Sequence, residues 1–219
     1  MSDPQAEGNT VTNDPITNRE PQDPSEVVAA ALSVAANAVA HYAESHPSRA
    51  GLDTEMREVK DGILRMGSLV EESIRAAMAA LVAHDAEAAT RVIIGDGRIN
   101  EMQRDVSGMI TRAIATQSPV ARDLRFLLSL DHVGYELERM GDHAASVAKQ
   151  VRKLAPEPPL KRYIDLPAMG ELAATLVGGI LRALVDIDVD AARAVAVRDD
   201  EIDLLYHRTF DEEIGRAHV

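Results

Sequence analysis

LDTEMREVKDGILRMGSLVEESIRAAMAAL, residues 52–81, decides the fold class. Its apolar side chains fall at Leu52, Met56, Val59, Ile63, Met66, Val70, Ile74, Met78 and Leu81, in alternating steps of three and four. That spacing draws a single stripe along a helix of about eight turns, long enough to be one member of a bundle. Beyond His84 and Asp85 a second stripe runs through Ala88, Val92, Ile99, Met102, Val106, Ile110 and Ala113. The chain then breaks at Thr116-Gln117-Ser118-Pro119, where Ser118 reads as an N-cap and Pro119 as a first helical residue. A third stripe follows through Leu124, Leu128, Val133, Leu137, Met140, Ala144, Val147, Val151 and Leu154. Three long helices joined by short turns predict an antiparallel bundle over residues 51–154.

On the C-terminal side, Pro156, Pro158 and Pro159 forbid helix, so residues 155–165 read as a linker. Two more helices are expected over 166–219, one through Leu172, Leu176, Ile180, Leu184 and Ile187 and one from about Ala191 to Ile214. On the N-terminal side, residues 1–24 have the composition of a disordered tail, and 25–50 read as an accessory helix with its linker. The fold class is therefore all-α. With 3% aromatic residues and no Trp, the core must be aliphatic.

Charge narrows the function. A net charge of −13 and a pI near 4.9 repel nucleic acid and anionic lipid head groups. No Cys is present, so disulfides, thiolate nucleophiles and sulfur ligands are excluded. The apolar stretch Val27–Ala43 is too short and too weakly apolar for a membrane span and lacks the basic start of a signal peptide. A cytoplasmic protein without direct membrane insertion is expected.

A constant offset of 103 residues aligns the first two bundle helices with the last two. Ala80, Leu81, Val82, Asp85, Ala88, Ala89, Val92, Asp96 and Ile99 fall on Ala183, Leu184, Val185, Asp188, Ala191, Ala192, Val195, Asp199 and Ile202. Two Ala-rich helices would share Ala and Leu by composition alone, but not the aspartates. The partner of Pro119 at this offset would fall beyond Val219, so the second copy is expected to contribute only two helices. The apolar stripe they leave open calls for cover, from the N-terminal helix, another subunit or a further C-terminal segment.

Acidic pairs at helical spacing are the candidate site. Glu138 and Asp142 lie one turn apart, as do Asp96 and Asn100, and Asp199 and Asp203. Each pair borders an apolar stripe, so facing helices could converge their oxygens on a divalent or trivalent cation. A solvated acidic face is the commoner meaning of such a pair, and on spacing alone it is the better reading of Asp199 and Asp203. Glu138 and Asp142 are harder to dismiss, because Gly141 between them costs about 1 kcal/mol in a helix and signals close approach of another element. Arg139 offers a salt bridge to the same acids. The histidines show no paired spacing; His143 alone merits attention as a ligand. Arg122-Asp123-Leu124-Arg125 and Lys161-Arg162 read as helix-end and loop charges. No phosphate loop, nucleophile elbow or catalytic triad is present, and no enzyme is expected.

Gln117-Ser118-Pro119-Val120-Ala121-Arg122-Asp123-Leu124-Arg125 with Glu138-Arg139-Met140-Gly141-Asp142-His143-Ala144 resembles the third-helix signature of PhoU proteins. Asp96-Gly97-Arg98-Ile99-Asn100 resembles their second-helix motif, and the likeness covers about Leu52 to Glu213. The resemblance implies paired three-helix bundles that often hold metal ions. It implies a regulator, generally a homodimer, working with the ATPase subunit of a phosphate ABC transporter and with a sensor histidine kinase. Such a regulator represses the phosphate-starvation response and restrains uptake. Carried over, Asp96, Asn100, Glu138 and Asp142 form one metal site, for iron, zinc or manganese, and Asp199 and Asp203 form half of a second. Two other readings stay open: a carboxylate-metal enzyme, which would want a Glu-x-x-His pair that the chain lacks, and a metal-free structural interaction protein.

Overall fold

The computed structural model describes residues 24–42, 50–158 and 163–217. The expected tail lies outside these residues except for Pro24, as do Lys161, Arg162 and His218. The described chain is helical: α1 (Pro24–Tyr42), α2 (Ala50–Ala83), α3 (Ala86–Gln117), α4 (Ala121–Leu154), α5 (Asp165–Asp186), α6 (Val189–Ala196) and α7 (Asp199–Ala217). No strand is found among the described residues.

The stripe of α2 forms the floor of the core. Val59, Ile63, Met66 and Val70 are fully buried there, against Ile99, Val106 and Ile110 of α3 and Leu127, Leu130 and Leu137 of α4. On α4 the buried face runs through Phe126, Leu127 and Leu130, and Leu128 is half exposed, so the stripe expected through Leu124 and Leu128 sits off the true one. The reason is that α4 is covered by α1 as well as by α2 and α3, which widens its apolar face beyond one narrow stripe.

Two hairpin turns repeat each other residue for residue. His84 and Ile187 both take left-handed backbone, with φ of 51° and 57°. The amides of Asp85 and Asp188 then reach back to the carbonyls of Ala80 and Ala183, at 3.0 and 2.8 Å, closing a Schellman turn each time. Both aspartates are N-caps: Asp85 accepts from the amides of Glu87 and Ala88, Asp188 from that of Ala191.

Where the units meet, α2 and α5 cross antiparallel through matched contacts. Gly67 on α2 receives Leu181 of α5, and Gly170 on α5 receives Met78 of α2. These two contacts exchange under the 103-residue offset, which makes the junction a pseudo-two-fold one. Lys60 ties it further, its Nζ donating to the carbonyl of Val185 at 3.1 Å while lying 5.5 Å over the Phe126 ring. Burial holds the Lys60 ammonium below its usual value, opposed by the attraction of Asp186.

Two expectations need correction. Ser118 is no N-cap: at φ 45° it closes the C-terminus of α3, its amide donating to Ile114, and Val120 precedes α4 with no side-chain cap. Pro119 accounts for the end of α3, since the residue before a proline is kept out of the right-handed helical region and the proline has no amide to donate; it does not account for the left-handed sense of Ser118. The last expected helix is also two, α6 and α7. At Val197 and Arg198 the ladder tightens: the amides of Arg198 and Glu201 bond three residues back, to Val195 and Arg198. Asp199, Asp200 and Glu201 follow at once, and three acids complement a new helix N-terminus better than a helix interior.

Of the described helices, α5 is long and apolar enough to cross a membrane by length and composition. More than half of it is buried against the bundle, the character of a core helix.

Candidate functional site

Gly141 sets the site's geometry. A Cβ there would stand 2.8 Å from Ile99 Cδ1 and 3.3 Å from Asp96 Oδ1, so the missing side chain is what lets α3 close onto α4. That closure brings Asp96 and Asn100 of α3 beside Glu138 and Asp142 of α4. Asn100 Nδ2 donates to Asp96 Oδ2 at 3.5 Å. Asp96 Oδ1 and Asn100 Oδ1 are buried with no hydrogen-bond partner.

Electrostatics record the crowding. Burial raises the Asp96 carboxyl above its ordinary range, and Asp142, within hydrogen-bonding reach, raises it further. The Glu138 carboxyl is raised by burial, then by Asp142 and Asp96, with Arg139 opposing. His143 is lowered by burial and then by Arg139. Arg139 forms its short ion pair not with the site acids but with Glu136, at 2.7 Å, three residues back and almost fully buried.

The four groups are thus near neighbours, all oxygen donors, and in kind they suit a hard cation. Among the described residues, no three His, Cys, Asp or Glu side chains are gathered closely enough to grip one ion together. Asp131 was not anticipated: its Oδ1 is buried without a partner on α4. The seven-residue step from Asp131 to Glu138, two turns on one face, was the available signal.

Asp199 and Asp203 lie elsewhere, at the start of α7. Burial raises Asp199, followed by the like charges of Asp203 and Asp200, and its Oδ1 has no partner. Among the described residues, they form no cluster with a third acid or histidine that could hold an ion.

Sequence comparison decides the family. A model of the PhoU domain matches residues 63–151 and 166–217, two spans that begin 103 residues apart. The chain belongs to the PhoU family. One curated relative, the phosphate-specific transport system accessory protein PhoU homolog of Aquifex aeolicus, is 36% identical over 154 residues, 70% of each chain. Its namesake from Clostridium acetobutylicum is 35% identical over 161 residues, 73% of this chain and 74% of the relative. In structure, the phosphate transport system regulatory protein PhoU of Streptococcus pneumoniae superposes with a TM-score of 0.70 at 33% identity, covering 75% of this chain and 77% of that one. PhoU of Pseudomonas aeruginosa gives 0.68 at 31% identity, covering 75% and 82%. These PhoU relatives are named as accessory or regulatory proteins, in line with the absence of a catalytic set in the sequence.

Proposed function

We propose that this chain is a phosphate-transport accessory regulator: an adaptor between the ATPase subunit of a phosphate ABC transporter and a sensor histidine kinase, cytoplasmic and homodimeric, repressing the phosphate-starvation response and restraining uptake. The observation that carries this reading is the PhoU match across both repeats, with the motif-bearing faces of α3 and α4 in contact at Gly141. The test is deletion in the source cell with a phosphate-starvation promoter reporter read in high phosphate. Derepression is expected, reversed by the intact gene; repression that persists in a strain with no other PhoU gene sinks the reading.

We further propose that Asp96, Asn100, Glu138 and Asp142 hold an iron, zinc or manganese ion, which would supply positive charge where three carboxylates now repel. The raised carboxyls of Asp96 and Glu138 and the partnerless oxygens of Asp96 and Asn100 support it. The ungathered state of the acids favours a second reading, a metal-free adaptor. Metal analysis of wild type against a Glu138→Gln, Asp142→Asn double variant separates them. Equal metal content in the two proteins removes the cation and leaves the adaptor.

A further inference from the structure

The first unit is made of α2, α3 and α4; the second has α5 in the place of α2, and α6 with α7 in the place of α3. The question is what stands in the place of α4. Helix α4 packs on α2 and α3 and, across the junction, on α1. Helix α1 packs on α5, α6 and α7 and, across the same junction, on α4. Under the pseudo-two-fold relation fixed by Gly67 with Leu181 and Gly170 with Met78, these two sets of neighbours are the same set.

We infer that α1 serves as the third helix of the second unit, standing in α4's pseudo-equivalent place, and that it closes this unit without supplying the acids a cation site would need there. The closure is apolar. Val27, Val28, Leu32 and Ala35 of α1 are buried in one continuous core with Leu176, Ile180 and Leu184 of α5, Ala192 of α6 and Ile202 of α7. Removing these side chains from water is what holds α1 in place. The stripe left open by the repeat is therefore covered from within the chain.

The chemistry differs from that of α4. The only acid in α1 is Glu26, and no second acid follows it at a turn's spacing, whereas α4 carries Glu138 and Asp142. By the same pseudo-two-fold relation, Asp199 and Asp203, the counterparts of Asp96 and Asn100, would look toward this helix, which is rich in Ala and Val. Two carboxylates alone are a weak grip on a hydrated ion, so one chain takes one cation, at α3 and α4. This last step rests on the cation reading given above; the placement of α1 does not.

Two measurements on the full chain keep the parts distinguishable. The protein has no Cys, so Ser33→Cys on α1 and Leu204→Cys on α7, both exposed, accept spin labels without further change. Pulsed dipolar spectroscopy is expected to give one narrow, short distance that survives dilution with excess unlabelled protein. A broad distribution, or one that disappears on dilution because a second copy's helix fills the place, overturns the inference. For the site, manganese(II) titration read by bound-metal analysis is expected to give one equivalent, lost in the Glu138→Gln, Asp142→Asn variant and kept in Asp199→Asn, Asp203→Asn. Two equivalents, one of them lost in the Asp199 and Asp203 variant, overturns it. No uptake by any variant refutes the cation reading instead, and the label distance then decides α1 by itself.

Discussion

At Gly141 one missing methyl group separates two outcomes. An alanine there gains about 1 kcal/mol of helix propensity but forces its Cβ into Ile99, and overpacking of this kind costs about 1–3 kcal/mol. Gly141→Ala is expected to be net destabilising and to weaken any cation bound through Asp96 and Asp142. Gly108 on α3 is the control, since a Cβ there meets nothing within 4 Å, and Gly108→Ala should raise stability by up to about 1 kcal/mol. Urea denaturation of both variants checks this; changes of the same sign would contradict the packing account. Lys60 offers a pH test. Its folded pKa lies below the usual 10.5, so between those two values the unfolded chain holds a proton that the folded chain has released. Stability should therefore rise with pH across that window. Lys60→Met removes the group, and the stability difference between wild type and variant should shift in wild type's favour from pH 8 to pH 10.5; a flat difference refutes the burial of the ammonium.

Among the elements, the clearest sequence signals were those that local chemistry enforces. The stripe of α2 was legible because its nine positions keep one face over the whole helix. Asp85 and Asp188 were legible as a matched pair of turn residues because composition could not account for them, and both prove to be N-caps. Their bonding predicts unequal effects. Asp85 Oδ1 accepts from two amides, each at 2.9 Å, and Asp188 from one at 2.9 Å. Asp85→Ala and Asp188→Ala should each cost about 0.5–2 kcal/mol, with Asp85→Ala the larger, by thermal melts in matched buffer. Less was legible where tertiary contacts decide. The split between α6 and α7 carries no Gly or Pro; it lies in helical backbone, at φ −63° and ψ −23° for Val197, and only the hydrogen bonds shorten. The ion pair of Arg139 with Glu136 was not legible for the same reason, since Glu138 and Glu136 are both within reach in sequence.

For the whole molecule, the site was readable as residue types and spacings, but its convergence was not. Asp96 meets Asp142 only because Gly141 admits Ile99, and that depends on how α3 and α4 close against α2. The place of α1 was open among three occupants, since an Ala-rich helix with Val and Leu fits many grooves; the contacts with α4, α5, α6 and α7 choose one. That choice has a thermodynamic consequence. The larger core cluster runs through α1 to α7 and includes Leu32, Val70, Met140, Ile180, Leu181 and Ile202, while a smaller one with Ala77, Leu81, Val92, Ala148 and Val151 lies between α2, α3 and α4, so most of the interior is common to both units. At 219 residues a chain of two repeats could unfold in two steps, one per unit. The shared core argues otherwise: unseating either unit exposes the α2 and α5 crossing and strips α1 from one of its two supports. A single transition is expected in urea, with the same midpoint by far-ultraviolet circular dichroism and by hydrogen exchange at α2 and at α5. Leu32→Asp on α1 should lower that common midpoint, because a carboxylate cannot be buried there without a partner. If α5 to α7 instead lose protection while α2 to α4 keep theirs, the two units are energetically separate and the shared core is too weak to couple them.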